Sequence, residues 1–164
     1  MLAASNGHTT LVGSLLDSHA TLHLKSRSDY TAVHHAVGNG KDSVVRLFLA
    51  NEAIKESIRR HEVYKNLTPL YVAAQNGHET TVHLLLDYLG GIDSHNKARS
   101  QKTALQIASF FGRKNVIKLL LDANATVDLR WENAPTALWY AAVGGHEAVV
   151  GLLIDHGADI NIKG

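Results

Sequence analysis

Apolar residues in this chain recur in blocks that follow a glycine at a fixed distance. Leu11 and Val12 come four and five residues after Gly7, and the same offsets from Gly40, Gly77, Gly112 and Gly145 give Val44 and Val45, Thr81 and Val82, Val116 and Ile117, and Val149 and Val150. Seven to nine residues after each glycine a second block follows, such as Leu84, Leu85 and Leu86 or Leu119, Leu120 and Leu121. The i, i+3, i+4 spacing predicts an amphipathic helix with a wide apolar face after every glycine. The glycines are 33, 37, 35 and 33 residues apart, so the pattern is an internal repeat.

Ahead of four of these glycines lies a second, shorter helical signal. A threonine stands nine residues before each: Thr31, Thr68, Thr103 and Thr136. Its side-chain oxygen can accept an N–H from the first helical turn, and Pro69 after Thr68 occupies a position where a missing donor costs nothing. An apolar anchor follows two residues on (Val33, Leu70, Leu105, Leu138) and an alanine five residues on (Ala36, Ala73, Ala108, Ala141). Each unit is therefore a short helix, a glycine turn, a longer helix and an extended connection. A single unit cannot bury its own apolar face, so the units must stack.

These features resemble the ankyrin repeat. "TPLYVAAQNGHETTVHLLLDYLGGID" and "TALWYAAVGGHEAVVGLLIDHGADIN" carry its threonine, leucine, alanine pair, glycine and histidine in order, and five registered copies cover the chain. The resemblance implies an all-α fold, a solenoid of stacked antiparallel helix pairs with projecting β-hairpin loops. It forms one domain over 1–164, with approximate units 1–27, 28–64, 65–99, 100–132 and 133–164. His8, His78 and His146 follow unit glycines, where the family's ring is expected to bond backbone around the turn.

Several positions depart from the family pattern. Where a glycine usually precedes the threonine by two residues, this chain has Asp29, Asn66, Gln101 and Ala134. Gln and Ala tolerate positive φ poorly, so another turn is expected in the last two hairpins. The histidine that usually follows the anchor survives as His34 and is replaced by Tyr71, Gln106 and Trp139. The connection over 51–67 is longer than the others. Ile54 and Ile58, with Glu56 and Arg60, predict an added helical turn there, as a structural insertion or a partner-contacting loop. Aligned on Gly7, the first unit lacks its threonine, and the last stops soon after its second helix. The expectation is a piece of a longer array or multidomain protein.

Composition narrows the chemistry. A formal net charge of +1 gives no overall field to hold a polyanion, so nucleic acid is not an expected partner. No apolar run is long enough for a membrane span. The absence of cysteine suits an intracellular protein, cytoplasmic or nuclear, and removes thiolate metal sites. His34 and His35 are adjacent rather than at the i, i+4 spacing of a helical metal pair. "GNGK" at 38–41 lacks the flanking residues of a phosphate-binding loop, and no nucleophile motif occurs. The expectation is no enzyme, no cofactor and no metal.

What remains is the face that the resemblance makes concave, where family partners usually bind. Four residues after each threonine stand His35, Val72, Ile107 and Tyr140. Seven and eight residues after come small, polar or mildly apolar pairs, including Asn39 and Asn76, except in the fourth unit, which has Phe110 and Phe111. Adjacent helical residues point about 100° apart, so one ring is expected to pack on a neighbouring unit and the other to face the groove beside Ile107 and Tyr140. Trp131, in the following hairpin, extends the expected patch. The expected function is a non-catalytic module binding a protein or peptide through the groove and hairpin tips. The alternatives are a small-molecule or cyclase/isomerase site in an aromatic groove, and a structural spacer in a larger receptor or enzyme. A monomer is expected, with end-to-end association open to the uncapped terminal units.

Overall fold

The computed structural model describes residues 1–21, 24–27, 30–59, 68–89, 102–130 and 134–162. They form five helix pairs: α1 Leu2–Asn6 with α2 Thr9–Asp17, α3 Ala32–Gly38 with α4 Asp42–Ala50, α6 Pro69–Asn76 with α7 Glu79–Leu89, α8 Ala104–Phe110 with α9 Lys114–Asp122, and α10 Ala137–Val143 with α11 Glu147–Asp155. One further helix, α5 Glu52–Arg59, follows the second pair. Each short helix packs on the short helix of the next pair, and the long helices do the same, which builds a two-layered helical solenoid. No strand is assigned among the described residues, and much of the expected hairpin tips, including Asp29, Asn66, Gln101 and Trp131, lies outside them.

The threonines start the short helices as their chemistry predicts. Thr68, Thr103 and Thr136 accept N–H bonds from Tyr71, Gln106 and Trp139 at 3.1, 3.1 and 3.2 Å. At the position of the usual histidine, His34 and Gln106 reach back to the N–H of Thr31 and Thr103 at 3.2 and 2.7 Å, closing capping boxes. The glutamine does more. Its Nε2 donates to the carbonyls of Leu129 and Pro135 at 2.9 and 3.0 Å, tying the next connection to α8.

The small alanines sit where helices approach most closely: Ala36, Ala73, Ala108 and Ala141 are all fully buried. Leucine, valine and isoleucine from the long helices complete a continuous core. At the turn between the helices of each pair the unit glycine has positive φ, from +59° to +80°. The long helices of the first, fourth and fifth pairs end on a second left-handed residue, His19, Asn124 and Gly157, each twelve positions after its glycine.

The helix expected in the long connection is present as α5. Ile54 and Ile58 are buried, and the helix packs on α4 and α7. The proposed partner of Glu56, Arg60, lies outside the described residues; Lys55 pairs with Glu52 at 2.6 Å.

The ends of the stack differ from its middle. Leu11 and Leu15 are 51% and 43% exposed, whereas Val116 and Leu120, at the same places in the repeat, are 1% and 0% exposed. At the other end Trp139 and Ile154 are exposed, although Gln106 and Leu121 in the same register are buried. The terminal faces thus present side chains of the type that units use to stack.

Candidate functional site

The residue after the unit glycine links neighbouring units along one edge in the third, fourth and fifth units. His78 Nε2 lies 2.9 Å from the Gly38 carbonyl, Arg113 Nε donates to Gln75 at 3.1 Å, and His146 Nε2 lies 3.0 Å from the Phe110 carbonyl. All three acceptors stand two residues before the preceding unit's glycine, so the bond repeats in register. The expected backbone bond of His78 and His146 therefore runs across to the previous unit. It also explains the glycine itself: a Cβ on Gly112 would lie 2.6 Å from Nδ1 of His146, and φ there is +65°. His146 thereby holds the end of α8, where the phenylalanine pair sits.

The two rings diverge as adjacent helical side chains must. Phe110, half-buried, meets Tyr140 of the next unit edge to face at 6.1 Å between centroids. Phe111, the C-cap of α8, is 38% exposed and meets Phe110 edge to face at 5.2 Å. Trp139 continues the series, 5.2 Å from Tyr140, and is itself exposed. Edge-to-face pairs of this kind set the positive rim of one ring against the negative face of the next.

Two cations flank the phenylalanines. Lys102 Nζ stands 4.4 Å from the Tyr140 ring centroid and 5.1 Å from that of Phe110. The Arg113 guanidinium lies 5.9 Å from the Phe111 centroid. Burial pushes the Lys102 ammonium below the usual lysine range and the Tyr140 hydroxyl above the usual tyrosine range, since both lose solvation of the charged form.

The other expected ladder positions fall into two groups. Val72 and Ile107 are buried, which corrects the expectation that their side chains are offered to a partner. The reason is close packing of the short helices: a Cβ on Gly38 would already touch Val72 Cγ1 at 3.3 Å. Tyr140 too is only 8% exposed. His35 is half-buried, its ring edge-on to Tyr30 at 5.8 Å. Its pKa is lowered by burial first and then by the positive amino terminus. Asn39 and Asn76 are exposed but employed: each Nδ2 donates to the carbonyl four residues back, of His35 at 2.8 Å and Val72 at 2.9 Å.

Sequence reasoning missed Lys102 and Arg113 as members of the aromatic cluster. The signal was available in the register, because Lys102 immediately precedes the helix-starting Thr103 and Arg113 takes the place that histidine holds in the third and fifth units.

Among the described residues, cavities lie away from the aromatic cluster. One of about 120 Å³ opens beside α1 and α2, lined by Ala4, Leu16, Ala32 and Phe48 among others. A shallow depression of about 310 Å³ runs over Gly40, Asp42, Gly77 and His78. Neither is lined by the aromatic cluster. Among the described residues no group of three or more histidines and carboxylates is placed to hold a metal ion, and no helix is long and apolar enough to cross a membrane.

A family model described as ankyrin repeats (3 copies) matches residues 1–98 and again 88–164. The ankyrin repeat and KH domain-containing protein mask-1 of Caenorhabditis elegans is 33% identical over 132 residues, which are 80% of this chain and 5% of that protein. A transient receptor potential cation channel subfamily A member 1 homolog of the same organism is 30% identical over 145 residues, 88% of this chain and 11% of its own. The probable E3 ubiquitin-protein ligase XBOS33 of Oryza sativa subsp. japonica is 30% identical over 165 residues, covering 97% of this chain and 31% of that protein. The chain thus spans less than a third of each of these relatives.

Proposed function

This chain belongs to the ankyrin-repeat family, and from that premise we propose that it is a non-catalytic module that binds a protein or peptide in the groove of its short-helix layer, around the end of α8. The exposure of Phe111, on a platform made by half-buried Phe110 and nearly buried Tyr140, is the observation that carries this reading. Aromatic rings with a buried base and one open face are typical anchors of protein recognition. The platform is rigid, because His146 and Gln106 tie α8 to the following unit and connection, so little ordering entropy is lost when a partner seats. His35, Asn39 and Asn76 extend the same layer toward the first units and supply polar edges. Trp131, which the sequence reading adds to this surface, lies outside the described residues. The module works inside the cell, in cytoplasm or nucleus, as one part of a longer protein.

A photo-crosslinking amino acid at position 111 tests this, with one at exposed Lys118 on α9 as the control. Partner adducts are expected from position 111 and not from 118. Adducts from 118 alone would move the binding surface to the long-helix layer.

A further inference from the structure

The phenylalanine pair is bracketed by positive charge that no carboxylate among the described residues pairs with. Lys102 stands over Phe110 and Tyr140, and Arg113 stands beside Phe111. Ion pairs join Lys55 to Glu52 and His83 to Asp87, both at other places in the repeat. No carboxylate among the described residues pairs with Lys102 or Arg113. Arg113 spends its Nε donor on the Gln75 carbonyl, which fixes the side chain and leaves its two terminal amine groups available.

The surrounding sequence has the same sign. Residues 102–130 hold five lysines and arginines against two aspartates, although the whole chain is only +1. One of those aspartates, Asp128, already accepts the backbone N–H of Asp159 at 3.0 Å. The other, Asp122, ends α9 on the long-helix layer. Glu79, near the Arg113 joint, accepts from Asn115 Nδ2 at 2.8 Å, so the positive charge at the aromatic platform is local and no carboxylate among the described residues is ion-paired with it.

Resting on the groove reading above, we propose that the partner is an acidic peptide segment, in which carboxylates flanking an apolar side chain bind Lys102 on one side and Arg113 on the other while the apolar group covers Phe111. Each carboxylate would form a charge-assisted hydrogen bond with the cation on its side. The open ring would bury the apolar neighbour. Lys102 is partly desolvated before any partner arrives, as its lowered pKa indicates, so closing the site over it removes less water than closing it over a fully hydrated ammonium. The rings hold that ammonium in place, which favours a fixed ion pair over a diffuse one.

The experiment is a selection of a random peptide display library on the immobilised chain, followed by affinities for the enriched peptides on wild type, Lys102→Gln, Lys102→Arg and Phe111→Ala. Enriched peptides are expected to carry aspartate or glutamate beside an apolar residue. Lys102→Gln should weaken them about tenfold, with Lys102→Arg restoring most of the loss, and added salt should weaken them further. Neutral or basic enriched peptides that still lose affinity with Phe111→Ala would overturn the acidic partner and leave the groove reading standing. Peptides bound equally by wild type and Phe111→Ala, or no enrichment at all, would overturn both. Circular dichroism of each variant confirms that the helices are kept.

Discussion

His146 Nε2 lies 3.0 Å from the carbonyl oxygen of Phe110, so the fifth unit holds the helix end that displays the phenylalanine pair. Removing the imidazole with His146→Ala should destabilise the chain by about 1 kcal/mol, the net worth of one hydrogen bond between neutral groups. Gly112→Ala acts on the same joint from the other side, through the 2.6 Å approach to His146 and the positive φ, and should cost about 1–2 kcal/mol. Urea unfolding measures both. Because the two residues share one contact, the double variant should lose less than the two single losses combined.

Gln106 is buried and makes four bonds: it caps α8 in both directions and staples Leu129 and Pro135. Only one of the four uses its own backbone. Gln106→Ala would strand the buried Thr103 N–H and free the connection, at a cost of about 2–3 kcal/mol. Gln106→His should recover part of this, since His34 closes the same capping box in the second unit. Equal losses for the two variants in urea unfolding would show that the capping bond contributes nothing.

Leu15 and Leu120 occupy the same place in the repeat, but one is 43% exposed and the other fully buried. Leu120→Ala should cost about 2–5 kcal/mol, the usual range for a leucine removed from a packed core, and Leu15→Ala less than about 1 kcal/mol. Both are read from urea unfolding at low protein concentration. If a second copy covers the exposed end, the cost of Leu15→Ala should grow as concentration rises, since association adds to apparent stability.

His35 gives a pH dependence of known sign. Its pKa is lowered in the fold, so the unfolded chain binds the proton more readily. The neutral ring's contribution is fully present above the ordinary histidine value of about 6.5 and is lost as pH falls through the lower folded value. His35→Gln should therefore flatten the fall in melting temperature between neutral pH and about pH 5, relative to wild type. Parallel curves for the two proteins would contradict the assignment to His35.

Much of the fold was legible because its rules are local and repeated. The glycine register predicted the long helices, and the threonines predicted the starts of the short ones. The paired isoleucines predicted α5. The candidate site was legible only in part. Spacing places residues on a helix but does not report how closely the next helix approaches, so Val72 and Ile107 looked available when tight packing buries them. The Phe110 and Phe111 divergence follows from helical geometry. Lys102 was hidden because its neighbours Phe110 and Tyr140 belong to a helix end and to the next unit, a proximity that only stacking creates.

The chain contains three phenylalanines, Phe48, Phe110 and Phe111, and Phe48 is 1% exposed in the core. Uniform fluorophenylalanine labelling therefore gives a spectrum with a built-in control. On titration with a bound partner or selected peptide, the fluorine resonances of Phe111 and Phe110 should shift while that of Phe48 stays in place. Binding seen by another probe that leaves the Phe110 and Phe111 signals unmoved would contradict the claim that recognition occurs at the end of α8.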